Sequence, residues 1–262
     1  MLLVLDVGNT NTVFGVDQGD GRWAAQWRLS TIAKGIGNDW APAIATLAVQ
    51  HEIELDKVSA VCISSVVPVA TSALTEFVRQ RLKVEPLIVR PGLRLSVSLG
   101  MDQPNEVGTD RIANAVAAWE MCRSACIVVD LGTATKIEAI SEHGEFLGGA
   151  IATGLGVSLD ALTSRAARLF QVELHAPKSA IGRNTVEALQ SGIVRGHVHL
   201  IAGLIADMRK ELKVDARVLV TGGHASPTDS PFRTLGRYDP DLTLNGIRLI
   251  HDLNRQANSR LP

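Results

Sequence analysis

Short apolar runs alternate with segments of helical periodicity along most of the chain. The apolar runs predict strands at 2–6, 12–17, 59–64, 86–90, 126–131, 136–141 and 217–221. Apolar residues spaced three or four positions apart predict helices at 39–51, 69–82, 110–124, 156–169, 184–213 and 245–257. This alternation is typical of an α/β protein.

Two segments of the chain repeat one pattern. LLVLDVGNTNTVFGV (2–16) and CIVVDLGTATKIEAI (126–140) each contain an apolar strand, an aspartate, an apolar residue, a glycine, small polar residues and a second strand. Asp6 matches Asp130, and Gly8 matches Gly132. Because the copies lie about half the chain apart, we expect a duplicated fold with two similar halves and a cleft between them.

The longest helical segment, 184–213, carries a small-residue motif. Gly192 and Gly196 form a GxxxG within it, but the charged residues of the segment exclude a membrane span. We therefore expect close packing of helices, within the chain or across a subunit interface. Asn184 and Glu187 resemble a capping box at its start, which leaves the hydroxyl of Thr185 for other contacts.

Composition narrows the function classes. The chain has 262 residues, a net charge of −1, a pI of about 6.7 and a mean hydropathy of +0.15. No basic field attracts nucleic acid or an anionic membrane, and no apolar run has the length of a membrane span. Cys62, Cys122 and Cys126 form no Cys-x-x-Cys pair, and Cys122 and Cys126 are interpreted as small apolar residues rather than metal ligands. We expect a cytoplasmic protein.

The acid–glycine turns at 6–12 and 130–135 suggest phosphate chemistry. Backbone N–H groups in such a turn bind phosphate oxygens, and a carboxylate beside them implies an intervening cation such as Mg²⁺. The alternative is structural, with glycines that permit tight turns and aspartates that cap backbone amides. The pairing of the two turns favours a nucleotide site. Neither a P-loop nor a G-x-G-x-x-G motif is present, and the glycines of VLVTGG (218–223) would allow the backbone to approach a flat ligand.

The segment EVGTDRIANAVAAW (106–119) places an acid and an arginine at the start of a helix. Asp110 is either an N-cap or a group that accepts the proton of a phosphoacceptor hydroxyl, while Arg111 and the helix dipole hold an anion. Spacing alone leaves both interpretations open. His197 and His199 point to different faces of a helix and are interpreted as ordinary surface or interface residues.

Taken together, these motifs resemble one family. DVGNTNTVFGV, SSVVP (64–68), P-x-x-VGTDR (104–111), VVDLGTAT (128–135), FLGGAI (146–151), IGRNT (181–185), TGGHA (221–225) and DPDLTLNGI (239–247) follow the order found in type III pantothenate kinases, which include the Bvg accessory factors. The family is similar to the acetate and sugar kinase, chaperone and actin superfamily. The resemblance implies an α/β, duplicated ribonuclease-H-like (actin-like ATPase) fold, with mixed sheets flanked by helices. It implies halves at 1–115 and 116–262, the second with a dimerisation helix.

The resemblance also implies ligands and roles. ATP and Mg²⁺ would be cofactors, with Asp6 facing the Mg²⁺–phosphate group, directly or through water, and Thr133 contacting ATP. Asp130 would ligate a monovalent cation, K⁺ or NH₄⁺. The first ATP-phosphate loop would comprise Asp6, Val7, Gly8, Asn9, Thr10, Asn11, Thr12 and Val13.

The acceptor implied by the resemblance is pantothenate, phosphorylated by ATP to 4′-phosphopantothenate in the first step of coenzyme A biosynthesis. Asp110 would be the catalytic proton acceptor, and Thr185 would reach pantothenate, across the interface of a homodimer. The other pantothenate contacts would come from Gly108, Thr109, Arg111 and Met101.

The chain departs from the family pattern at several positions. Met101 stands where a tyrosine is usual, and Lys136 and Glu138 stand in place of a Thr-x-Asp sequence. The new charges could disturb the second hairpin or form a salt bridge of their own. Thr153 and Phe170 each replace a usual proline. Besides the kinase, two alternatives therefore stay open: a catalytically impaired nucleotide-binding regulator, and a kinase for a related small hydroxylated acceptor.

Overall fold

The computed structural model describes residues 1–32, 37–225 and 230–258. They form two compact units, one comprising Met1–Ser96, Gln103–Ala117 and the chain from Leu242 onwards, the other Val97–Asp102 and Ala118–Asp241. None of the described helices is long and apolar enough to cross a bilayer.

The strands and helices follow the predicted alternation. The strands are β1 (Leu2–Val7), β2 (Asn11–Asp17), β3 (Trp23–Ser30), β4 (Ala60–Ser65), β5 (Leu87–Ile88), β6 (Ser98–Leu99), β7 (Cys126–Leu131), β8 (Ala134–Ile140), β9 (Glu145–Thr153), β10 (Arg217–Thr221) and β11 (Arg237–Tyr238). The helices are α1 (Gly37–Gln50), α2 (Pro68–Phe77), α3 (Thr109–Cys122), α4 (Leu155–Arg165), α5 (Thr185–Gln190), α6 (Gly196–Leu212) and α7 (Leu242–Asn258). A π-helical turn, Ser191–Arg195, joins α5 to α6, so the long predicted helix is confirmed as one run.

The first unit contains a mixed sheet in the order β3-β2-β1-β4-β5. β2 is antiparallel to β1 and β3, whereas β4 is parallel to both β1 and β5. Leu3, Leu5 and Phe14 are buried and belong to one apolar cluster with Trp40 and Ile44 of α1. Because β1 and β4 are parallel neighbours, their carboxyl ends lie together at one edge of the sheet.

The second unit repeats this order. Its sheet runs β11-β10-β7-β8-β9-β6, so β7, β8, β9, β10 and β11 correspond in turn to β1, β2, β3, β4 and β5. The parallel and antiparallel pairings also agree between the two sheets. The predicted duplicated α/β fold is therefore confirmed. The sequence did not predict β3 and β9. Apolar and polar residues alternate only weakly in β3, and Gly148 and Gly149 interrupt the pattern in β9.

The last helix belongs to the first unit, whereas the predicted halves assign all of 116–262 to the second. Thr243 donates to the amide oxygen of Asn114 in α3 at 2.8 Å. Trp23 of β3 donates its indole N–H to Asn245 at 3.1 Å. These contacts join α7 to both β3 and α3, which sequence order alone does not reveal.

Candidate functional site

Asp6 lies near the carboxyl end of β1, at the edge where the parallel strand β4 also ends. It is partly exposed, although the rest of β1 is buried. Its partner in the ladder with β4 is Ser64. Side chains that follow the carboxyl ends of neighbouring parallel strands are those that meet ligands in α/β sheets.

The turn after Asp6 is held by hydrogen bonds on its inner side. Gly8 donates its backbone N–H to the carbonyl of Asn11 at 2.9 Å, and the Thr31 hydroxyl donates to the carbonyl of Gly8 at 2.6 Å. Thr31 also donates its N–H to the carbonyl of Thr10 at 2.9 Å. Asn9 and Thr10 are nevertheless exposed. The result is a fixed turn whose tip is open to a ligand, as the phosphate-loop hypothesis requires.

The first turn of α3 is joined to the end of β4. The hydroxyl of Ser64 donates to that of Thr109 at 3.0 Å, and the Thr109 hydroxyl donates to the carbonyl of Ser65 at 3.1 Å. Since Ser64 is the ladder partner of Asp6, these bonds bring Asp110 to the same edge of the sheet as Asp6.

Asp110 is not the N-cap of α3. The helix begins at Thr109, and the carbonyl of Gly108 accepts from the N–H groups of Arg111 and Ile112 at 3.0 and 3.2 Å. The N-cap interpretation of Asp110 is therefore wrong. Its Oδ1 accepts from the backbone N–H of Arg111 at 2.9 Å. A Cβ on Gly108 would lie 2.6 Å from that oxygen, so the glycine makes room for the carboxylate.

In the second unit, Asp130 occupies the place that Asp6 has in the first. Its parallel partner in β10 is Thr221, as Ser64 is for Asp6. Its antiparallel partner in β8 is Lys136, whereas that of Asp6 is Val13. Lys136 Nζ lies 2.7 Å from Asp130 Oδ2. The salt bridge considered from the sequence is thus present.

The predicted K⁺ or NH₄⁺ ligand role of Asp130 does not fit this arrangement. The ammonium group of Lys136 already neutralises the carboxylate, and the two side chains are only 16% and 14% exposed. A monovalent cation placed about 4 Å from this ammonium group would be repelled by it by about 4 kcal/mol, at an effective dielectric constant of about 20. The positive charge observed beside Asp130 is the ammonium group of Lys136, and the role of Asp130 as a ligand of K⁺ or NH₄⁺ stays a prediction that this salt bridge does not favour.

The glycines around the second turn are explained by backbone packing. Gly154 donates its N–H to the carbonyl of Thr133 at 3.0 Å. Gly222 has a φ of +94° and lies so close to Leu131 that a Cβ would be 2.5 Å from its carbonyl oxygen. These contacts fix the turn that carries Thr133, and they account for the first glycine of VLVTGG without a ligand.

Met101 and Thr185 lie in the second unit, while Gly108–Arg111 lie in the first. Met101 is partly buried beside Gly148 in β9, since a Cβ on that glycine would lie 3.8 Å from Met101 Cγ. Thr185 is exposed at the first position of α5. The side chain of Asn184 accepts from the N–H of Glu187 at 2.9 Å, which confirms the predicted helix start.

His197 was misread from the sequence as a surface or interface residue. It is buried, and its Nε2 lies 2.7 Å from the hydroxyl of Thr135. Burial lowers the pKa of His197, and His224 lowers it further, so the ring is neutral at pH 7. His197 falls between Ile193 and Ile201 in the apolar stripe of the helix, and this spacing was the available signal. His199, by contrast, is exposed.

Cys122 is more than the small apolar residue that the sequence suggested. It is a free, half-buried thiol at the end of α3. A hydrogen bond with Cys126 lowers the pKa of Cys122 to about 7, with help from Arg217 and Arg237 and against the effect of burial. Within the described ranges, no three His, Cys, Asp or Glu side chains are grouped to hold a metal ion.

The other departures from the family pattern leave the hairpin intact. Glu138 is buried on β8, with Val128 and Gly149 as its ladder partners. The hydroxyl of Thr153 lies 2.8 Å from that of Ser158 in α4. Phe170 is 52% exposed. None of these residues disrupts the pairing of β7, β8 and β9.

Comparisons with known proteins identify the family of this chain. A family model described as type III pantothenate kinase matches residues 2–207. A protein named type III pantothenate kinase from Moorella thermoacetica is 41% identical over 254 residues, which cover 97% of this chain and 100% of that protein.

Solved structures share the fold. A protein described as a Baf family transcriptional activator, from Campylobacter jejuni, has a TM-score of 0.58 at 22% identity and covers 97% of this chain and 99% of its own. An inorganic polyphosphate/ATP-glucomannokinase from Arthrobacter sp. has a TM-score of 0.51 at 14% identity, with coverage of 97% and 98%. At these identities the similarity shows the fold alone.

Proposed function

This chain belongs to the type III pantothenate kinase family, and we propose that Asp6 and Asp110 of its first unit are the acids of the phosphoryl-transfer site. The chain is an ATP-dependent kinase that phosphorylates pantothenate in coenzyme A biosynthesis. The observation that carries the residue assignment is the hydrogen bond from Ser64 to Thr109, which brings both acids to one edge of the first sheet.

The turn from Asp6 to Val13 binds the phosphates of ATP. Asn9 and Thr10 are at its exposed tip and make the direct contacts, with the backbone N–H groups of the turn. Thr12 is buried, and its hydroxyl lies 3.0 Å from that of Thr31. We therefore assign Thr12 to holding the turn in shape. In the second unit, Thr133 contacts ATP from the corresponding turn.

The residues at this edge fit Mg²⁺. Asp6 offers a partly exposed carboxylate beside a phosphate loop, and Mg²⁺ typically takes one or two carboxylates together with substrate phosphates and waters. Asp6 would hold the ion, directly or through water. When bound, Mg²⁺ supplies charge neutralisation at the phosphate oxygens.

Asp110 orients the acceptor hydroxyl and accepts its proton. The contact of Oδ1 with the N–H of Arg111 fixes the carboxylate relative to the helix. The Arg111 side chain and the amino terminus of α3 together attract an anion such as the carboxylate of pantothenate. Gly108, Thr109, Met101 and Thr185 are the other proposed pantothenate contacts. Positioning and charge neutralisation do most of the work, since a loose transition state demands little of a base.

The test is a coupled assay of ADP release with ATP, Mg²⁺ and pantothenate. We expect release only when all three are present, at a kcat of about 1–100 s⁻¹, the usual range for kinases. A pantothenate analogue without the primary hydroxyl is the matched control and should give no ADP. Binding of ATP by a folded protein that releases no ADP would favour the regulator instead, and release with another hydroxylated acceptor alone would favour the third alternative.

A homodimer is proposed from the exposed side of the long helix. Gly192, Gly196, Leu200 and Gly203 form one stripe at helical spacing, and all four are exposed. A Cβ on any of the three glycines would meet nothing within 4 Å. Small residues in such a stripe allow a second helix to approach closely. Thr185 lies one residue beyond Asn184 at the start of this helical run, which places it on the element that would form the interface.

Gly196→Arg is expected to separate the dimer without unfolding the chain. The fold has room for the side chain, but an interface would desolvate its charge, at a cost of about 3 kcal/mol or more, which weakens self-association by about 100-fold. Light scattering should show twice the 28.0 kDa chain mass for the wild type and the chain mass for the variant. Ala45→Arg, on an exposed position of α1, is the control and should stay dimeric. A monomeric wild type would contradict both the interface and the role of Thr185.

We also propose a cytoplasmic location. It is supported by Cys62, Cys122 and Cys126, which are all free thiols, as is usual in a reducing compartment.

A further inference from the structure

A tethered ammonium group distinguishes the two otherwise similar acid–glycine hairpins. Asp6 and Asp130 occupy equivalent strand ends, each beside a hydroxyl residue on the next parallel strand. On the antiparallel side, Asp6 faces Val13 and Asp130 faces Lys136. The added positive charge is therefore a specific feature of the second hairpin and does not follow from the fold.

The ammonium is held where it is by its surroundings. Lys136 Nζ is 2.7 Å from Asp130 Oδ2, the distance of a charge-assisted hydrogen bond, and both side chains are mostly buried. The neighbouring residues in β8, Thr135 and Ile137, are fully buried. The hydroxyl of Thr135 is in turn hydrogen-bonded to His197. These buried contacts fix the strand, and with it the position of the Lys136 backbone opposite Asp130.

An ammonium at this place has the charge and the chemistry of NH₄⁺. A monovalent cation was expected at Asp130, and the salt bridge does not leave the carboxylate uncompensated for one. We propose that Lys136 supplies this charge as part of the chain, so that turnover requires no K⁺ or NH₄⁺. The proposal rests on the kinase function proposed above.

Cation binding can be measured without catalysis, from the melting temperature in KCl and in tetramethylammonium chloride at equal ionic strength. Wild-type protein should melt at the same temperature in both salts. Lys136→Ala leaves the Asp130 carboxylate without the ammonium, and K⁺ should then raise its melting temperature by about 3 °C relative to tetramethylammonium. Lys136→Arg, which keeps the charge, is the matched control and should behave like the wild type.

A wild-type melting temperature that is higher in KCl than in tetramethylammonium chloride would overturn the proposal. This comparison does not depend on the folding of any variant. A folded Lys136→Ala protein with no K⁺ response would also overturn it, since K⁺ would then not replace the ammonium.

The same salts in the ADP-release assay extend the test to turnover. Wild-type rates should be equal in K⁺, NH₄⁺ and tetramethylammonium when screening is held constant. Lys136→Ala should lose about 100-fold in kcat in tetramethylammonium, and K⁺ or NH₄⁺ should restore most of it. Wild-type turnover that depends on K⁺ would overturn the inference about Lys136 but not the proposed kinase function. An absence of ADP in every salt would count against the proposed function, and the melting temperatures would still decide the cation question.

Discussion

Asp110→Asn is expected to lower kcat for pantothenate phosphorylation by about 100- to 1,000-fold, because the carboxylate both positions the acceptor hydroxyl and accepts its proton. The asparagine amide cannot accept the proton of the acceptor hydroxyl. The substitution also removes the negative charge that aligns this hydroxyl. The KM for ATP should change little, because the ATP turn is built from β1, β2 and Thr31. Steady-state kinetics with ATP and pantothenate varied separately would measure both effects.

Gly108→Ala tests whether activity depends on the position of the Asp110 carboxylate. The new Cβ would lie 2.6 Å from Asp110 Oδ1, the end of a side chain that can move, so we expect a displaced carboxylate and a folded protein. A fall in kcat of about 10- to 100-fold follows from a misplacement of this size. The control is Gly156→Ala, because a Cβ on Gly156 would meet nothing within 4 Å. Gly92 is not suitable as a control position, because its positive φ would strain any side chain. Full activity of both Asp110→Asn and Gly108→Ala would show that Asp110 is not the proton acceptor.

The elements that the sequence predicted well are those with a strong local pattern. β1 and β7 are apolar on both faces, and α5 begins at its capping residues Asn184 and Glu187. β9 was missed because glycines interrupt its alternation, and Gly149 is needed there because a Cβ would overlap the backbone of Ile137 and Glu138. That constraint comes from a neighbouring strand and has no local signature.

Parts of the candidate site could be proposed from the sequence where their residues lie in one motif. The turn at Asp6 and the first turn of α3 were recognised separately in the sequence. Their proximity follows from the hydrogen bond between Ser64 and Thr109. The motif SSVVP contains Ser64 without indicating its partner. Likewise, Lys136 was recognised as a departure, whereas its effect on Asp130 follows only from the register of β7 against β8. Such contacts require the tertiary structure.

Gly246→Ala is expected to destabilise the first unit by about 1–3 kcal/mol, the usual cost of overpacking. Gly246 lies in α7, where a Cβ would overlap the carbonyl oxygen of Ala113 and lie 2.5 Å from its carbonyl carbon. Backbone atoms of α3 cannot move aside as a side chain would. The gain of about 0.5–1 kcal/mol that alanine brings to a helix interior is therefore outweighed. Thermal unfolding should show the melting temperature lowered by several degrees, at about 2–4 °C per kcal/mol.

The control for Gly246→Ala is the same substitution at Gly156 in α4, outside the proposed dimer interface, where a Cβ meets nothing within 4 Å. There the helix propensity acts alone, and the free energy of unfolding should rise by about 0.5–1 kcal/mol. Opposite signs for two glycine-to-alanine changes in helices would show that contact with α3, not propensity, decides the first. Because α3 carries Asp110 at its amino end, the kcat of Gly246→Ala should fall as well. A stabilised Gly246→Ala protein would contradict the packing of α7 on α3 and the assignment of α7 to the first unit.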